Sequence, residues 1–414
     1  MGAARMLLIM MMYNTMPTFI LFDDKRRDHL LPLTFTRPVA ELRMGILTIA
    51  QKWELMLNAK ASHLTQRYLS GKYPPRLGEI NCLINGGVCP DAMLIKRIMN
   101  LKLGEALVQG DVLIAALVGD RLPTKLESTA FVVREHPEVL LQVQHLWDLF
   151  VHNGTAIERD FELLTQGRSS QPIAPSNHAV RPERIFIEEG AKVECAVLNA
   201  SSGPIYIGRD AEVMEGSLVR GGLCLGEHSV LKMGAKIYGP TTIGPHCKVG
   251  GEVSNSVLMG YTNKAHDGFL GNSVLGEWCN LGADTNSSNL KNNYAEVKLW
   301  SYALRRFEKT GLQFCGLIMA DHSKCGINTM FNTGTVVGVA ANIFGSGFPR
   351  NFIPSFAWGG AAGLEVHALS MALGTAAQAM ARRGLELSAN DREILGHIFS
   401  LETPEKLYSE APSA

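Results

Sequence analysis

Residues 207–250 read IGRDAEVMEGSLVRGGLCLGEHSVLKMGAKIYGPTTIGPHCKVG, and an aliphatic side chain recurs in them at every sixth position. The series comprises Ile207, Val213, Val219, Leu225, Leu231, Ile237, Ile243 and Val249. Glycine directly follows four of these residues, at 208, 226, 244 and 250. An unbroken period of six is typical of a parallel β-helix, in which each hexapeptide supplies one short strand and one turn. An ordinary antiparallel β domain would show alternation with a period of two instead.

The period of six breaks after Glu252, resumes over 270–282 and returns weakly over 326–345. We expect loops on one face of the β-helix at the breaks, where binding sites of solenoids tend to lie. The complete β-helix is predicted over 183–363.

The flanks of the β-helix differ in composition. A stretch rich in Ser and Pro, 168–182, is predicted to be a linker. The segment 364–414 is rich in Ala and Leu and predicts two helices, with a capping pattern at Ser388 and Asp391. These helices would either cap the end of the β-helix or pack at a subunit interface.

The N-terminal region, 17–167, mixes short apolar runs with helical patterns. Strands are predicted at 18–22, 81–84 and 112–118, and helices at 40–57 and 61–69. Strands that alternate with helices predict an α/β domain with a mostly parallel sheet.

Composition excludes several classes of function. Lys plus Arg and Asp plus Glu each number 39, so the formal net charge is zero and an extended nucleic-acid face is not expected. The sequence has no apolar run of about 20 residues, so no membrane span is expected either. The eight cysteines form no C-x-x-C pair and lie among apolar neighbours, which suits buried free thiols in a reducing cytoplasm.

Polar residues concentrate in the breaks of the β-helix, at 252–269 and 280–293. His266 lies at the end of the first break. Histidine has the side-chain pKa nearest neutrality, so it can take a proton from an attacking nucleophile. Asn280 and Asn289 could hydrogen-bond a sugar or an acyl carbonyl, although asparagine often only satisfies turns.

These residues resemble the acetyltransferase centre of the GlmU-type family, which couples glucosamine-1-phosphate N-acetyltransferase to N-acetylglucosamine-1-phosphate uridyltransferase. The strings EVSNS at 252–256, KAHDGFLG at 264–271 and NLGADT at 280–285 carry the resemblance. It implies a left-handed β-helix and a homotrimer that binds acetyl-CoA, a substrate, at the subunit junction. His266 would be the general base for the amine of glucosamine 1-phosphate. The resemblance also implies that Asn280 and Asn289 hold the substrate and the acetyl group. Glu252, Lys264 and Lys291 are further candidates for binding substrate or acetyl group.

Three positions depart from the pattern of that family. Its lysine in E-x-K is Ser254, its tyrosine after the histidine is Phe269, and its G-A-G-T contains Asp284. Lys264 or Lys291 could replace the lost lysine. The lost tyrosine removes a hydroxyl group, and one such donor to an oxyanion can contribute about 3 kcal/mol.

A second resemblance lies in the N-terminal region. LPLTFTRP at 31–38 is similar to the R-L-x-P-L-T-x-x-x-P-K-P start of sugar-1-phosphate nucleotidyltransferases. Where that family has a Gly-rich phosphate loop, this sequence reads DDKRRDHL at 23–30 and has no glycine. In this it resembles the glycine-poor diphosphorylase/acetyltransferase fusions of the Bacteroidetes type. The resemblance implies binding of a nucleoside triphosphate and a sugar phosphate with Mg²⁺. The candidate phosphate-binding residues are Lys25, Arg26, Arg27, Thr34, Arg37, Arg43 and Asn85.

The metal ligands stay unassigned at this point, because Asn85-Gly86 occupies the place where the family presents an aspartate, with Asp91 nearby. Three hypotheses follow. The first is a cytoplasmic bifunctional enzyme that makes UDP-N-acetylglucosamine by acetyl transfer and nucleotidyl transfer. The second is a hexose-1-phosphate nucleotidyltransferase with the β-helix as a scaffold. The third is a non-catalytic regulatory subunit.

Overall fold

The computed structural model describes residues 16–123 and 125–401, and the chain divides into two compact units. Of the described residues, unit 1 contains 16–27 together with Arg37–Leu42 and Leu47–Gln144. Unit 2 contains Asp28–Thr36, Arg43–Ile46 and 145–401. The division therefore falls earlier than the expected boundary near 167.

Unit 1 is built on a six-stranded sheet with the order β2-β1-β3-β5-β4-β6. The strands are β1 (Thr18–Phe22), β2 (Ala61–Leu64), β3 (Asn81–Asn85), β4 (Glu105–Gln109), β5 (Val112–Val118) and β6 (Val132–Glu135). Strand β5 is antiparallel to both of its neighbours, and the other three pairs are parallel, which confirms a mostly parallel sheet. Two α-helices accompany the sheet, α1 (Ile49–Leu57) and α2 (Ala92–Ile98), with 3-10 turns at Lys25–Leu30, Val39–Glu41, Arg67–Leu69 and Ser128–Ala130.

Two helix predictions for unit 1 need correction. The helix predicted over 61–69 is wrong, because Ala61–Leu64 is an edge strand that pairs with β1 in parallel, Phe19 opposite Ala61. The helix predicted over 40–57 is shorter and begins at Ile49. Thr48 caps it, since its hydroxyl accepts from Gln51 N while the Gln51 side chain accepts from Thr48 N.

Unit 2 contains a left-handed parallel β-helix with three sheets. Sheet I runs through His178–Val180, Val197–Asn199, Leu218–Arg220, Lys236–Tyr238, Glu252–Ser254, Phe269–Gly271, Asn286–Ser287 and Met330–Phe331. Sheet II runs through Ile185–Ile187, Ile205–Ile207, Leu223–Leu225, Thr241–Ile243, Val257–Gly260, Val274–Glu277, Ile318–Met319, Val336–Val337 and Phe352–Ile353. Sheet III runs through Lys192–Val193, Glu212–Val213, Val230–Leu231, Lys248–Val249, Asn263–Lys264, Asn280–Leu281, Lys324–Cys325, Asn342–Ile343 and Ala357–Gly360, with Gly363–Val366 added antiparallel.

The predicted series with a period of six is confirmed, because all eight aliphatic side chains lie in the core of the β-helix. Neighbouring coils approach so closely that some corners exclude a side chain. A Cβ atom on Gly244 would lie 1.7 Å from the carbonyl oxygen of Met259. The glycines of the repeat are therefore required by the spacing of the coils as well as by the turns.

The segment predicted as a linker, 168–182, already takes part in the β-helix. Gln171 N donates to the carbonyl oxygen of Ile187, and His178–Val180 is the first strand of sheet I. Helices α3 (Asp148–Val151) and α4 (Asn153–Thr165) come before it. The Asn153 side chain donates to the Pro240 carbonyl (2.9 Å), so α4 belongs with the β-helix.

An insertion and a helical segment complete unit 2. The insertion carries an antiparallel hairpin, Lys298–Ser301 with Arg306–Lys309. Helices α5 (Leu369–Ala381) and α6 (Ala389–Leu401) follow the β-helix, and Ser388 and Asp391 form the predicted cap of α6. Residues 402–414 lie outside the described residues. No helix within 16–123 and 125–401 has the length and apolar character of a membrane span.

A column of aromatic rings lines the corner between sheets II and III. His228, His246, Tyr261 and Trp278 stack in sequence with ring-centroid separations of 4.9, 4.7 and 4.3 Å. Each has a left-handed backbone conformation. The separations match the distance between neighbouring strands, because each ring comes from one successive coil.

Candidate functional site

His266 lies at the corner where sheet III turns into sheet I, between the strands Asn263–Lys264 and Phe269–Gly271. Its side chain is exposed to solvent. Strands that enter and leave this corner are held by parallel partners on both sides, so the corner has a rigid base. An exposed imidazole on such a base can accept a proton from a bound substrate.

Lys264, expected to bind substrate, lies inside the β-helix. It stands opposite Val249 in the register of sheet III, and its side chain is only 2% exposed. Its Nζ donates to the carbonyl oxygens of His266 (2.5 Å) and Asp267 (3.1 Å). Burial lowers the pKa of Lys264 to about 8, and the negative charges of Asp267 and Asp284 offset part of this shift.

Three further polar residues lie on the sheets that meet at the His266 corner. Asn280 is exposed on sheet III, and its Oδ1 lies 3.5 Å from Asn263 Nδ2. On sheet I, Glu252 stands opposite Phe269. Asn286 lies one coil further, and its Oδ1 accepts from Phe269 N at 2.9 Å. The strands paired with those that flank His266 therefore carry a carboxylate and amides on consecutive coils.

Glu252 accepts a hydrogen bond from the hydroxyl group of Tyr238 on the preceding coil. This hydrogen bond and burial raise the pKa of Tyr238 to about 12. Phe269 lacks a hydroxyl group, so Tyr238 is the phenol that the described structure places beside Glu252.

Asn289 and Lys291 lie at a different corner, where sheet I turns into sheet II and the insertion begins. Asn289 Nδ2 donates to Oδ1 of Asn272 (2.8 Å), which makes it one step of an asparagine ladder between coils. Lys291 Nζ donates to the carbonyl oxygen of Glu296 (3.1 Å) within the insertion. Glu252 and Asn280 lie on strands that pair with the two strands flanking His266, whereas Asn289 and Lys291 lie at the other corner.

In unit 1, charged residues follow the carboxyl end of β1 and Asn85 ends β3, at the edge where open α/β sheets bind ligands. The guanidinium group of Arg26 bridges two carboxylates, Asp24 Oδ2 at 2.6 Å and Asp111 Oδ2 at 2.8 Å. Asp24 and Arg26 are largely buried, whereas the Asp111 side chain is 76% exposed. The neighbouring Lys25 is exposed to solvent.

Arg27 and Asn85 serve local structure at the same edge. Arg27 donates to the Tyr68 hydroxyl (2.8 Å), and its Nε lies 4.0 Å from Asp23 Oδ2. Burial raises the pKa of Asp23, although its carboxylate accepts hydrogen bonds from Thr65 and from Val39 N. Asn85 accepts from Gly87 N and donates to Asp24 and to the Leu113 carbonyl.

Of the three other candidates for phosphate binding, two are buried and Arg43 is half-buried. Thr34 is fully buried and Arg37 is 6% exposed. Arg43 donates through Nε to the carbonyl oxygen of Met259 (3.1 Å) and through Nη1 to that of Ile46. Thr34 and Arg43 belong to segments that unit 2 includes.

The fit of these residues to Mg²⁺ follows from the same contacts. Among the described residues, no group of three His, Cys, Asp or Glu side chains is placed to hold a metal ion. Mg²⁺ commonly takes one or two carboxylates and completes its shell with substrate phosphates and water. Asp24 and Asp111 supply that number of carboxylates, so this pair fits the donor set that Mg²⁺ commonly takes from a protein. The Asp91 carboxylate caps α2 by accepting a hydrogen bond from Leu94 N, so it is not counted among the metal ligands.

Four residues near the two candidate sites are not among the predicted site residues: Asp24, Asp111, Tyr238 and Asn286. Asp24 is the second residue after a predicted strand, and this position is the signal that could have found it. Asn286 follows the N-L-G-A-D-T string, but only the register of sheet I shows that it caps Phe269.

Comparison with known proteins gives matches in part of the chain. Residues 19–169 match the family model described as sugar nucleotidyl transferase. The bifunctional protein GlmU of Methanocaldococcus jannaschii is 36% identical over 87 residues, 21% of this chain and 21% of that protein. A bifunctional sugar-1-phosphate nucleotidylyltransferase/acetyltransferase of Sulfurisphaera tokodaii is 29% identical over 144 residues, 34% of this chain and 35% of that protein. The chain therefore spans 21% and 35% of the length of these curated relatives.

A solved structure, UDP-N-acetylglucosamine acyltransferase from Arabidopsis, is 14% identical and matches 57% of this chain and 89% of that chain. Its TM-score is 0.25, which is too low to support an inference. The family-model match and the fold agree on the N-terminal region. The chain thus joins a nucleotidyltransferase-like domain, matched over residues 19–169 by the sugar nucleotidyl transferase family, to a left-handed parallel β-helix and C-terminal helices.

Proposed function

We propose that the protein is a bifunctional enzyme that transfers an acetyl group to an amino-sugar 1-phosphate and a nucleotidyl group to the acetylated product. The observation that carries the proposal is the corner at His266, where an exposed imidazole stands on a rigid base, with Glu252 and Asn280 on the strands that pair with its two flanking strands. The partial matches to bifunctional relatives support the same pairing of activities.

The acetyl transfer would proceed at the His266 corner. The amine nitrogen of glucosamine 1-phosphate attacks the thioester carbonyl of acetyl-CoA while the imidazole of His266 accepts the proton from that nitrogen. A carbon–nitrogen bond forms, the carbon–sulfur bond breaks, and the departing thiolate takes the proton from the imidazolium. Asn280 and Glu252 would orient the sugar by hydrogen bonds.

The nucleotidyl transfer would take place at the carboxyl ends of β1 and β3. The phosphate of N-acetylglucosamine 1-phosphate attacks the α-phosphorus of UTP and releases pyrophosphate, which gives UDP-N-acetylglucosamine. Asp24 and Asp111 would hold the Mg²⁺ ion, which would supply neutralisation of phosphate charge there. Arg26, beside these carboxylates, and Lys25, which faces solvent, would bind the phosphate oxygens.

The first test is an assay of the purified full chain in two reactions. Glucosamine 1-phosphate with acetyl-CoA is followed by thiol release, and N-acetylglucosamine 1-phosphate with UTP or dTTP is followed by pyrophosphate release. We expect His266→Ala to slow thiol release by about 10²- to 10⁴-fold, the usual contribution of a general base, without affecting pyrophosphate release. His178→Ala, an exposed histidine on the first coil, is the matched control and should leave both rates unchanged.

The outcomes separate the hypotheses. Equal thiol release by wild type and His266→Ala refutes the acetyltransferase activity. Pyrophosphate release without thiol release favours the nucleotidyltransferase with a scaffold. Absence of both products favours a non-catalytic subunit, in which the internal pairing of Arg26 with Asp24 and Asp111 is permanent.

A further inference from the structure

Lys264 occupies a position where the β-helix otherwise buries uncharged side chains. Along sheet III it stands between Val249 and Leu281, and all three side chains are buried. Removing an ammonium group from water is costly, and the lowered pKa of Lys264 reflects that cost. A leucine would fill the same space without it, so the stability of the β-helix alone does not explain a lysine here.

The hydrogen bonds of Lys264 act on the turn that carries His266. In three other coils the corresponding corner is closed by a backbone hydrogen bond, from Ser217 to Met214, from Ala235 to Lys232 and from Thr285 to Gly282. At the His266 corner, the ammonium group inside the coil donates to the carbonyl oxygens of His266 and Asp267. The buried ammonium group of Lys264 therefore holds the backbone that carries His266 by two hydrogen bonds from the inside of the coil.

We propose that Lys264 is a positioning residue for His266 and does not bind substrate. The Nζ atom of Lys264 lies inside the coil and donates to two main-chain carbonyl oxygens. Lys264 therefore acts on the reaction through the backbone of His266. A general base must stay within hydrogen-bond reach of the proton that it takes, and an error of 1 Å can cost about 10²-fold in rate. This inference rests on the proposed role of His266 in acetyl transfer.

The test compares Lys264→Met with wild type in steady-state acetyl transfer. Methionine keeps an unbranched buried side chain but removes the donor. We expect kcat to fall by about 10- to 100-fold, while KM for acetyl-CoA and for the sugar phosphate stays within about twofold. Val213→Ala, a truncation at a buried position of sheet III in an earlier coil, is the control for general loosening and should keep kcat.

A second readout is independent of activity. Amide hydrogen exchange over 265–268 should accelerate at least tenfold in Lys264→Met and remain at the wild-type rate in Val213→Ala. Unchanged exchange at this corner, or a kcat within twofold of wild type, would overturn the proposal. So would a rise in KM alone, which would indicate substrate binding instead.

Lys264→Gln keeps a hydrogen-bond donor in the side chain and serves as the second variant if Lys264→Met does not fold. It should show an intermediate loss of kcat. If neither variant folds, Lys264 supports the whole coil and the positioning role is refuted. If wild type shows no acetyl transfer but the exchange result holds, the proposed function fails and the link between Lys264 and the corner stands.

Discussion

Thr36 Oγ1 donates a hydrogen bond to Oδ2 of Asp321, 2.8 Å away, across 285 positions of sequence. The other oxygen of this buried carboxylate accepts from Glu277 N at 2.8 Å. The segment Asp28–Thr36 belongs to unit 2, the unit that contains the β-helix. Part of the motif that resembles a nucleotide-binding start therefore belongs to that unit.

Thr36→Val should destabilise this unit. The substitution removes a donor to a buried carboxylate, and a hydrogen bond to a charged group contributes about 1.5–3 kcal/mol. Urea denaturation should show this loss of unfolding free energy. Thr375→Val removes an exposed hydroxyl that bonds the Met371 carbonyl in α5, and it should change stability by less than about 0.5 kcal/mol. Equal effects of the two variants would contradict the importance of the Thr36–Asp321 bond.

Two glycine substitutions should act in opposite directions. Gly374 lies within α5, and a Cβ atom there meets no atom within 4 Å, so Gly374→Ala should stabilise the protein by about 0.5–1 kcal/mol. At Gly244 the added Cβ atom would lie 1.7 Å from the Met259 carbonyl oxygen, so Gly244→Ala should separate two coils and lower the melting temperature sharply. Differential scanning calorimetry of both variants checks the pair. A melting temperature of Gly244→Ala close to that of wild type would contradict the spacing of the coils.

Arg26→Gln should increase the affinity of unit 1 for divalent cations. Its guanidinium group lies between Asp24 and Asp111 and competes with any ion that these carboxylates could hold. Mn²⁺ binding to the full chain, measured by electron paramagnetic resonance in the absence of nucleotide, should strengthen at least tenfold in the variant. Lys25→Gln removes the same charge from the adjacent, exposed position and should change Mn²⁺ affinity by less than about twofold, because exposed charges are screened. Equal changes in both variants would show a general charge effect.

The buried ammonium group of Lys264 should make stability depend on pH in the alkaline range. Its pKa is about 8 in the folded protein and near 10.5 when unfolded. Between these values the unfolded chain binds more protons, so the free energy of unfolding of wild type should rise with pH. Below about pH 8 the cost of burying the charge is fully present.

Lys264→Met lacks this titration. The difference in unfolding free energy between wild type and variant, measured at intervals from pH 7 to 10.5, should shift in favour of wild type as the pH rises. A difference that stays constant over this range would show that the ammonium group is not buried in solution.

Much of the β-helix could be predicted, because its core depends on one inward residue per hexapeptide and this period is visible in the sequence. The function of single site residues was harder to predict. Lys264 follows Val249 in sheet III by 15 positions, so the period of six could not reveal that it points inward. Asn289 is predicted to bind substrate, and in the structure its amide donates a hydrogen bond to Asn272 on the neighbouring coil.

In unit 1, the buried strands were predictable from apolar runs, whereas Ala61–Leu64 was not. Ser62 and His63 are polar, and their burial depends on pairing with β1, a contact that local sequence does not encode. The pairing of Arg26 with Asp111 is similarly non-local. Non-local contacts thus decide which charged residues of the N-terminal motif face solvent.

The stacked rings at the corner between sheets II and III give this protein an optical signature. Tyr261 and Trp278 lie face to face at 4.3 Å on successive coils, so their electronic transitions should couple and produce a strong near-ultraviolet circular dichroism band. That band depends on the distance between two coils and not on the presence of strands. Near-ultraviolet circular dichroism should therefore report the spacing of the coils before and after His266 without an added label.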